Sequence, residues 1–462
     1  MLVSFSVENW KVFKNRATLS LKASREKMDA EKSAVLPSRY GTSKILPAAA
    51  IYGANASGKS SLIQGLSVVK KLVIEGTAVT KMIPVQPFRL DPEYGKRPTT
   101  FIVEALISNL IYVYEISCTK SDVIKEKLVI RRTRTDQIVF ERNLDDYVFG
   151  PKYDSERVRL IAENTRPNQL FLHNAVAQNA NDFRPMFDWF DRTLTILGTD
   201  AQYEKYSQML LRPDFLNFVN KKLRRYNTGA AQINLIPVDR DTIPMPQGFL
   251  DGFISPIEND PNVNLQIRIN REEGPEIFIV QGSEQGLKFS KVKTVHMTPE
   301  GKRIPFDLSD ESKGTQKLIE LLPIFFDLAG EKESQESQGK VYLVDELDRS
   351  FHSALTIDLV KGYLDGCSPN ERNQLIFSTH DLILMEEKVL RRDELWFCVK
   401  GPDGSSTVKC LGSHPGLRSD TDLLKNYREG LFGGYPSFQE YECVASLNTV
   451  GSAPITTPSP QR

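Results

Sequence analysis

Ala48-Ala-Ala-Ile-Tyr-Gly53-Ala-Asn-Ala-Ser-Gly58-Lys59-Ser60-Ser61 decides how this chain is read. Five apolar residues make a short buried strand, the glycine-bearing stretch must then turn, and a helical pattern runs on to about Leu72. Residues 53–61 fit the spacing G-x4-G-K-[ST] in the strand–loop–helix setting that the pattern requires. Glycines let backbone N–H groups point inward around phosphate oxygens, and the following helix N-terminus adds positive potential. The candidate nucleotide contacts are therefore Gly53, Ala54, Asn55, Ala56, Ser57, Gly58, Lys59, Ser60 and Ser61. Lys59 is expected to reach the β- and γ-phosphates, and the Ser60 hydroxyl to ligate Mg²⁺.

Downstream, Val341-Tyr-Leu-Val-Asp345-Glu346 is an apolar strand ending in two carboxylates. By itself it reads equally as an ordinary strand-to-turn transition. Behind a phosphate loop it gains meaning: a strand end delivers Asp345 rigidly to a metal, and Glu346 can polarise an attacking water as general base. Leu347-Asp348-Arg-Ser-Phe-His352 follows, then a second apolar strand with a polar end, Leu375-Ile-Phe-Ser378-Thr379-His380-Asp381. His380 is the candidate sensor of the γ-phosphate, the plainer alternative being a structural histidine. Leu308-Ser309-Asp-Glu311-Ser312-Lys313-Gly314-Thr315-Gln316 opens a helix. Ser312 and Gly314 at its N-terminus form a second phosphate-binding surface, or simply a cap.

The bulk properties narrow the class. A chain of 462 residues is long for one core and suggests two or three domains. Lys+Arg and Asp+Glu are both 59, so no global charge draws it to nucleic acid or anionic lipid. The one basic cluster, Lys221-Lys222-Leu-Arg224-Arg225, reads as a solvated helix face or as a contact for DNA or an acidic protein. Five scattered cysteines without a CxxC pair suit reduced thiols and a cytoplasmic protein. No stretch reaches the ~18 apolar residues needed to cross a bilayer, so no membrane partner is expected.

Along the chain, residues 2–8, 17–23 and 100–142 alternate apolar with polar, as antiparallel strands do. From 165 to 226 the pattern is helical; 227–262 is rich in Pro, Gly, Asn and Asp and reads as loop; strands resume at about 264–280 and 287–297. A polar linker is expected at 331–340. Four segments follow: 1–160, the first half of an ATPase core with an antiparallel β-subdomain; 161–300, a helical or irregular insertion; 301–445, the second half; and 446–462, a disordered tail.

Asn9-Trp10-Lys11-Val-Phe13 after the first strand resembles the opening of RecF- and SMC-type ATPases. Val85-Gln86-Pro87-Phe88-Arg89-Leu90 and the Gly416–Gly434 region, with Asp420, Tyr427, Gly430 and Gly433, resemble the stand-alone ABC-type ATPases of prokaryotic anti-phage defence loci. Those include abortive-infection, Septu and retron ATPases and the ATPase of the phage anti-restriction-induced system. The resemblance implies an α/β fold: an ABC-type P-loop NTPase head, a mixed sheet with an N-terminal antiparallel β-subdomain, carrying a large, mainly helical insertion. It implies ATP and Mg²⁺ as cofactors and ATP hydrolysis, with Asp348 on a nucleotide-facing loop and Ser312 and Gly314 donated to a second copy's nucleotide. Gln86 becomes a candidate contact to Mg²⁺ and the attacking water, or else a polar loop residue; Asn9 and Lys11 become candidate nucleotide contacts.

The implied partners are a second copy of the chain in a homo-oligomer and a separate effector protein, a nuclease or toxin. A phage-encoded trigger protein or DNA would be the input. The sequence departs from the family in its signature, Glu311-Ser-Lys-Gly-Thr in place of Leu-Ser-Gly-Gly-Gln, and in Ser353, where many relatives have proline. The alternative is a RecF-like ATPase of DNA repair or maintenance that binds duplex DNA directly.

Overall fold

The computed structural model describes residues 1–26, 28–36, 40, 43–132, 135–198, 206–259, 264–272, 274–283, 286–329, 339–386, 389–414 and 421–436. The expected tail 446–462, with Gly416 and Asp420, lies outside these residues, as does the expected linker up to residue 338.

The central sheet runs in the order Leu194–Leu197, Val341–Val344, Gln374–Ser378, Ala48–Tyr52, Leu395–Lys400, Ser406–Cys410. All but the last strand are parallel to their neighbours. Short, continuously apolar strands suit a parallel sheet covered on both faces, and the side chains divide accordingly. Ala49, Ile51, Leu343 and Ile376 face one core, shared with the helix Lys59–Ile74 and a second sheet. Ala48, Ala50, Tyr52, Tyr342, Val344, Leu375 and Phe377 face the other, packed by the helices Pro213–Arg225, Lys313–Ala329 and Ser353–Asp365. Because Ala48–Tyr52, Val341–Val344 and Gln374–Ser378 run in one direction, their carboxyl ends deliver Gly53, Asp345 and Thr379 to one edge. That edge is where ligands of open α/β sheets bind.

The second sheet is antiparallel, in the order Asp146–Phe149, Gln137–Asn143, Val123–Ile130, Leu110–Cys118, Thr99–Ile107, Leu2–Glu8, Ala17–Ser20. Alternation predicts its meander; the pairing of Leu2–Glu8 with Thr99–Ile107, far along the chain, is a tertiary result. Gln374, wholly buried, ties the two sheets together. Its Oε1 accepts from Leu2 N at 2.6 Å and its Nε2 donates to Leu2 O and Leu46 O, both at 3.0 Å.

Between the halves the chain is helical through Arg225 and then sheet-rich. Helices Phe171–Ala177, Arg184–Asp188 and Pro213–Arg225 stand where helical spacing predicts them, but Leu194–Leu197 is a strand at the edge of the central sheet. Residues read as loop contain the strand Ala230–Pro237 and the helix Gln247–Asn259. Pro237, Pro244 and Pro246 sit at or just outside the ends of these elements, so they mark boundaries rather than irregular backbone. Ala230–Pro237, Gly286–Met297, Pro275–Ser283 and Asn264–Asn270 pair antiparallel, and Arg303–Asp307 pairs the far half of Gly286–Met297. Leu250, Ile254 and Ile257 of the helix Gln247–Asn259 pack on Ile267, Phe278 and Val280 as a small separate core.

Candidate active site

The loop from Gly53 to Gly58 is shaped by three left-handed backbones, Gly53 (φ 147), Ala56 (φ 60) and Gly58 (φ 111). A Cβ on Gly53 would lie 2.5 Å from Ser57 Oγ and 2.6 Å from Cys398 O. One on Gly58 would lie 2.8 Å from Val12 and 2.9 Å from Phe13. The Asn9–Phe13 turn thus lies against the loop, and Trp10 Nε1 donates to Ser61 O at 2.6 Å. From the other side Gly434 approaches: a Cβ there would be 3.5 Å from Gly53 Cα. Tyr427 OH holds Gly434 O at 2.9 Å.

Lys59, nearly buried, donates from Nζ to Gly53 O (2.8 Å) and Ala54 O (3.3 Å). Burial lowers its pKa, and the nearby Cys398, Asp345, Glu346 and Asp348 partly oppose that. His380 lies in the same field: burial and the Lys59 charge lower its pKa, while Asp348, Glu346 and Asp345 pull it up. Its backbone N–H donates to Asp348 Oδ2 at 3.1 Å. Lys59, Asp345, Glu346, Asp348 and His380 therefore lie close enough to act on one another's charge, although the first and last come from opposite parts of the chain.

Ser378 holds this group together. Its hydroxyl, fully buried, donates to Asp345 Oδ1 and accepts from Glu346 N at 2.7 Å, and its carbonyl accepts from Leu347 N at 3.1 Å. Glu346 has a left-handed backbone (φ 52), an uncommon conformation for a residue with a Cβ. That conformation turns the chain sharply after the buried Asp345 and leaves the Glu346 carboxylate half-exposed, 4.0 Å from Arg349. The sequence marks Ser378 as part of a polar strand end but not as the residue that sets the two carboxylates. Nor does it mark Cys398, whose thiol is pushed up to about 12 by burial beside Lys59.

The residues fit a nucleoside triphosphate with its metal. Glycines leave a cradle that side chains would fill, and Ser57 Oγ, Asp348 Oδ1 and Asp381 Oδ2 are buried without a hydrogen-bond partner among the described residues. Ser60 stands in the first turn of Lys59–Ile74, and Asp345 follows the carboxyl end of Val341–Val344.

Other candidates lie elsewhere. Gln86 is exposed; its carbonyl accepts from Lys11 N at 2.7 Å, and no contact among the described residues brings its side chain to Lys59 or Asp345. Asn9 is not a nucleotide contact: its Nδ2 donates to Tyr94 O (2.8 Å) and Arg97 O (2.9 Å), and its Oδ1 accepts from Phe88 N (2.9 Å). Both ends of that amide are committed to the loop that precedes Thr99. Lys11 Nζ donates to Gln64 Oε1 and lies over the Trp10 ring. Ser312 caps its helix, accepting from Thr315 N at 3.1 Å, and is exposed. Gly314 packs against Ser350 O rather than the Gly53–Ser61 loop. In the basic cluster, Lys222 and Arg225 both pair with Asp358.

A sequence model of the family described as "AAA domain, putative AbiEii toxin, Type IV TA system" matches residues 48–386. No curated protein matches the chain. Among solved structures, the SMC head domain from Thermotoga maritima is 15% identical, with TM-score 0.32 over 88% of this chain and 98% of that one. An SmcHead bound to the C-winged helix domain of ScpA is 12% identical, with TM-score 0.34 over 88% and 97%. At that level of likeness the fold assignment rests on the strand order and on the family. It is a mixed α/β P-loop head with an antiparallel β-subdomain, and among the described residues no helix is long and apolar enough to cross a membrane.

Proposed function

This chain belongs to that family of AAA domains, and from there we propose that it binds ATP with Mg²⁺ at Gly53–Ser61 and hydrolyses it between two copies of itself. We further propose that the ATP state governs a separate effector, a nuclease or toxin, in anti-phage defence. The observation that carries the reading is the delivery of the glycine loop, Asp345 and the Ser378–His380 segment to one edge of the central sheet by its parallel strands, with the His380 N–H on Asp348 Oδ2.

In this reading the Lys59 ammonium leaves the Gly53 and Ala54 carbonyls for the β- and γ-phosphates. Mg²⁺ held by Ser60 and Asp345 would supply charge neutralisation on the phosphates. Glu346 takes the proton of the attacking water, its carboxylate aimed by the Ser378 bond to its own N–H. His380, kept neutral by burial and by Lys59, donates a hydrogen bond towards the γ-phosphate. Ser312 and Gly314 stand at an exposed helix N-terminus away from their own chain's loop, which suits donation to a second copy's nucleotide.

The family's description names a toxin system, which supports the defence role. Direct DNA binding of the RecF kind has less support, because Lys222 and Arg225 are already paired with Asp358. The test is a pair of variants. Lys59→Ala should lose ATP binding, and Glu346→Gln should bind ATP, self-associate and release little phosphate. Turnover of Glu346→Gln at the wild-type rate would remove Glu346 from its role.

A further inference from the structure

Glu311, one of three positions at which the signature departs from Leu-Ser-Gly-Gly-Gln, is nearly buried, and its Oε1 is gripped from the insertion sheet. Thr294 Oγ1, fully buried, donates to it; His296 Nε2 lies 2.7 Å from it. Thr294 and His296 are two apart on the strand Gly286–Met297, so both point from one face of the sheet. The His296 ring is held by Phe306, with centroids 4.4 Å apart. A carboxylate accepting two donors in a buried setting is a strong, directional tether.

The turn that Glu311 opens is fixed at further points. Gln316 Nε2 donates to Glu311 O at 2.8 Å and Ser309 O at 3.4 Å. Gly274, from the hairpin between Asn264–Asn270 and Pro275–Ser283, lies so close to Gln316 that a Cβ there would stand 2.7 Å from Nε2. On the opposite side a Cβ on Gly314 would stand 2.8 Å from Ser350 O, just beyond Asp348. The Ser312–Gly314 turn thus bridges the insertion sheet and the loop that carries Glu346 and Asp348.

We propose that Glu311 is a positioning residue, held by Thr294 and His296, that sets the Ser312–Gly314 turn for the nucleotide of a second copy. The insertion sheet, rather than the central sheet, thereby orients this surface. The inference rests on the two-copy reading above. Glutamate here ties the turn to a separate layer.

The test uses full-length Glu346→Gln protein with ATP and Mg²⁺, measuring self-association by analytical ultracentrifugation and single-chain affinity with a fluorescent ATP analogue. Adding Glu311→Ala should weaken ATP-driven association about ten-fold or more, the loss expected of a charge-assisted bond, with nucleotide affinity unchanged. Glu311→Gln, which keeps an acceptor for one donor, should restore most of it, and Thr294→Val, which removes one donor and keeps the carboxylate, should give an intermediate loss. A general structural role would lower nucleotide affinity and association together and would show no rescue by glutamine. Association of the Glu311→Ala protein as tight as its parent's overturns the proposal. If the Glu346→Gln parent itself fails to associate with ATP, the two-copy reading falls and this inference with it; the parent measurement separates the two failures.

Discussion

Replacing Ser378 with alanine removes one buried hydroxyl that makes both a charge-assisted bond to Asp345 and a 2.7 Å bond from Glu346 N. Loss of the first costs about 1.5–3 kcal/mol, and leaving the amide unpaired adds about 1 kcal/mol where water can reach the half-open site. Against this, Glu346 holds a left-handed backbone (φ 52), and relaxing such a conformation returns about 1 kcal/mol. The net expectation is a stability loss of about 1.5–3 kcal/mol, together with a freed Glu346 peptide. A carboxylate displaced by about 1 Å loses about a hundred-fold in rate. Steady-state phosphate release should therefore show kcat down by about two orders of magnitude, while nucleotide affinity stays within about three-fold because Lys59 and the glycine loop are untouched. A stable Ser378→Ala protein that turns over within about two-fold of wild type would refute the idea that this hydroxyl aims the base.

Gly58→Ala forces a Cβ into a φ of 111 and within 3 Å of Val12 and Phe13; it should lower the melting temperature and abolish ATP-induced stabilisation, as read by thermal scans with and without nucleotide. Asn9→Ala strands the buried Phe88 N–H and the part-buried Tyr94 and Arg97 carbonyls and should destabilise by about 3 kcal/mol in urea titrations, with KM for ATP unchanged. His380 has a lowered pKa, so folding favours its neutral form. That contribution is present above the ordinary imidazole value and is lost as pH falls through the lowered one. The acid limb of the rate profile should accordingly lie below the ordinary histidine range, and His380→Gln should remove that limb.

What the sequence makes legible is what is encoded locally. The strand–loop–helix of residues 48–72, the carboxylates at a strand end and the alternation of 100–142 each follow from short-range pattern, and each stands where that pattern predicts. The convergence of Lys59 with Asp345 needs only that parallel strands share a direction. Strand Leu194–Leu197 is hidden because its apolar residues continue a helical run, and only pairing with Val341–Val344 makes it extended. Asn9 and Ser378 are hidden for a different reason: their roles lie in hydrogen bonds to backbone far away in the chain, which no spacing reports. Gln86 shows the opposite error, a residue type suited to the chemistry on a loop whose side chain faces solvent.

The approach of Gly434 to Gly53 bears on how the protein is made. During synthesis the glycine loop emerges first, and the segment that backs it, Tyr427 to Gly434, leaves the ribosome only after both acidic residues and the histidine have been joined. The phosphate loop is thus made well before the segment that packs behind it.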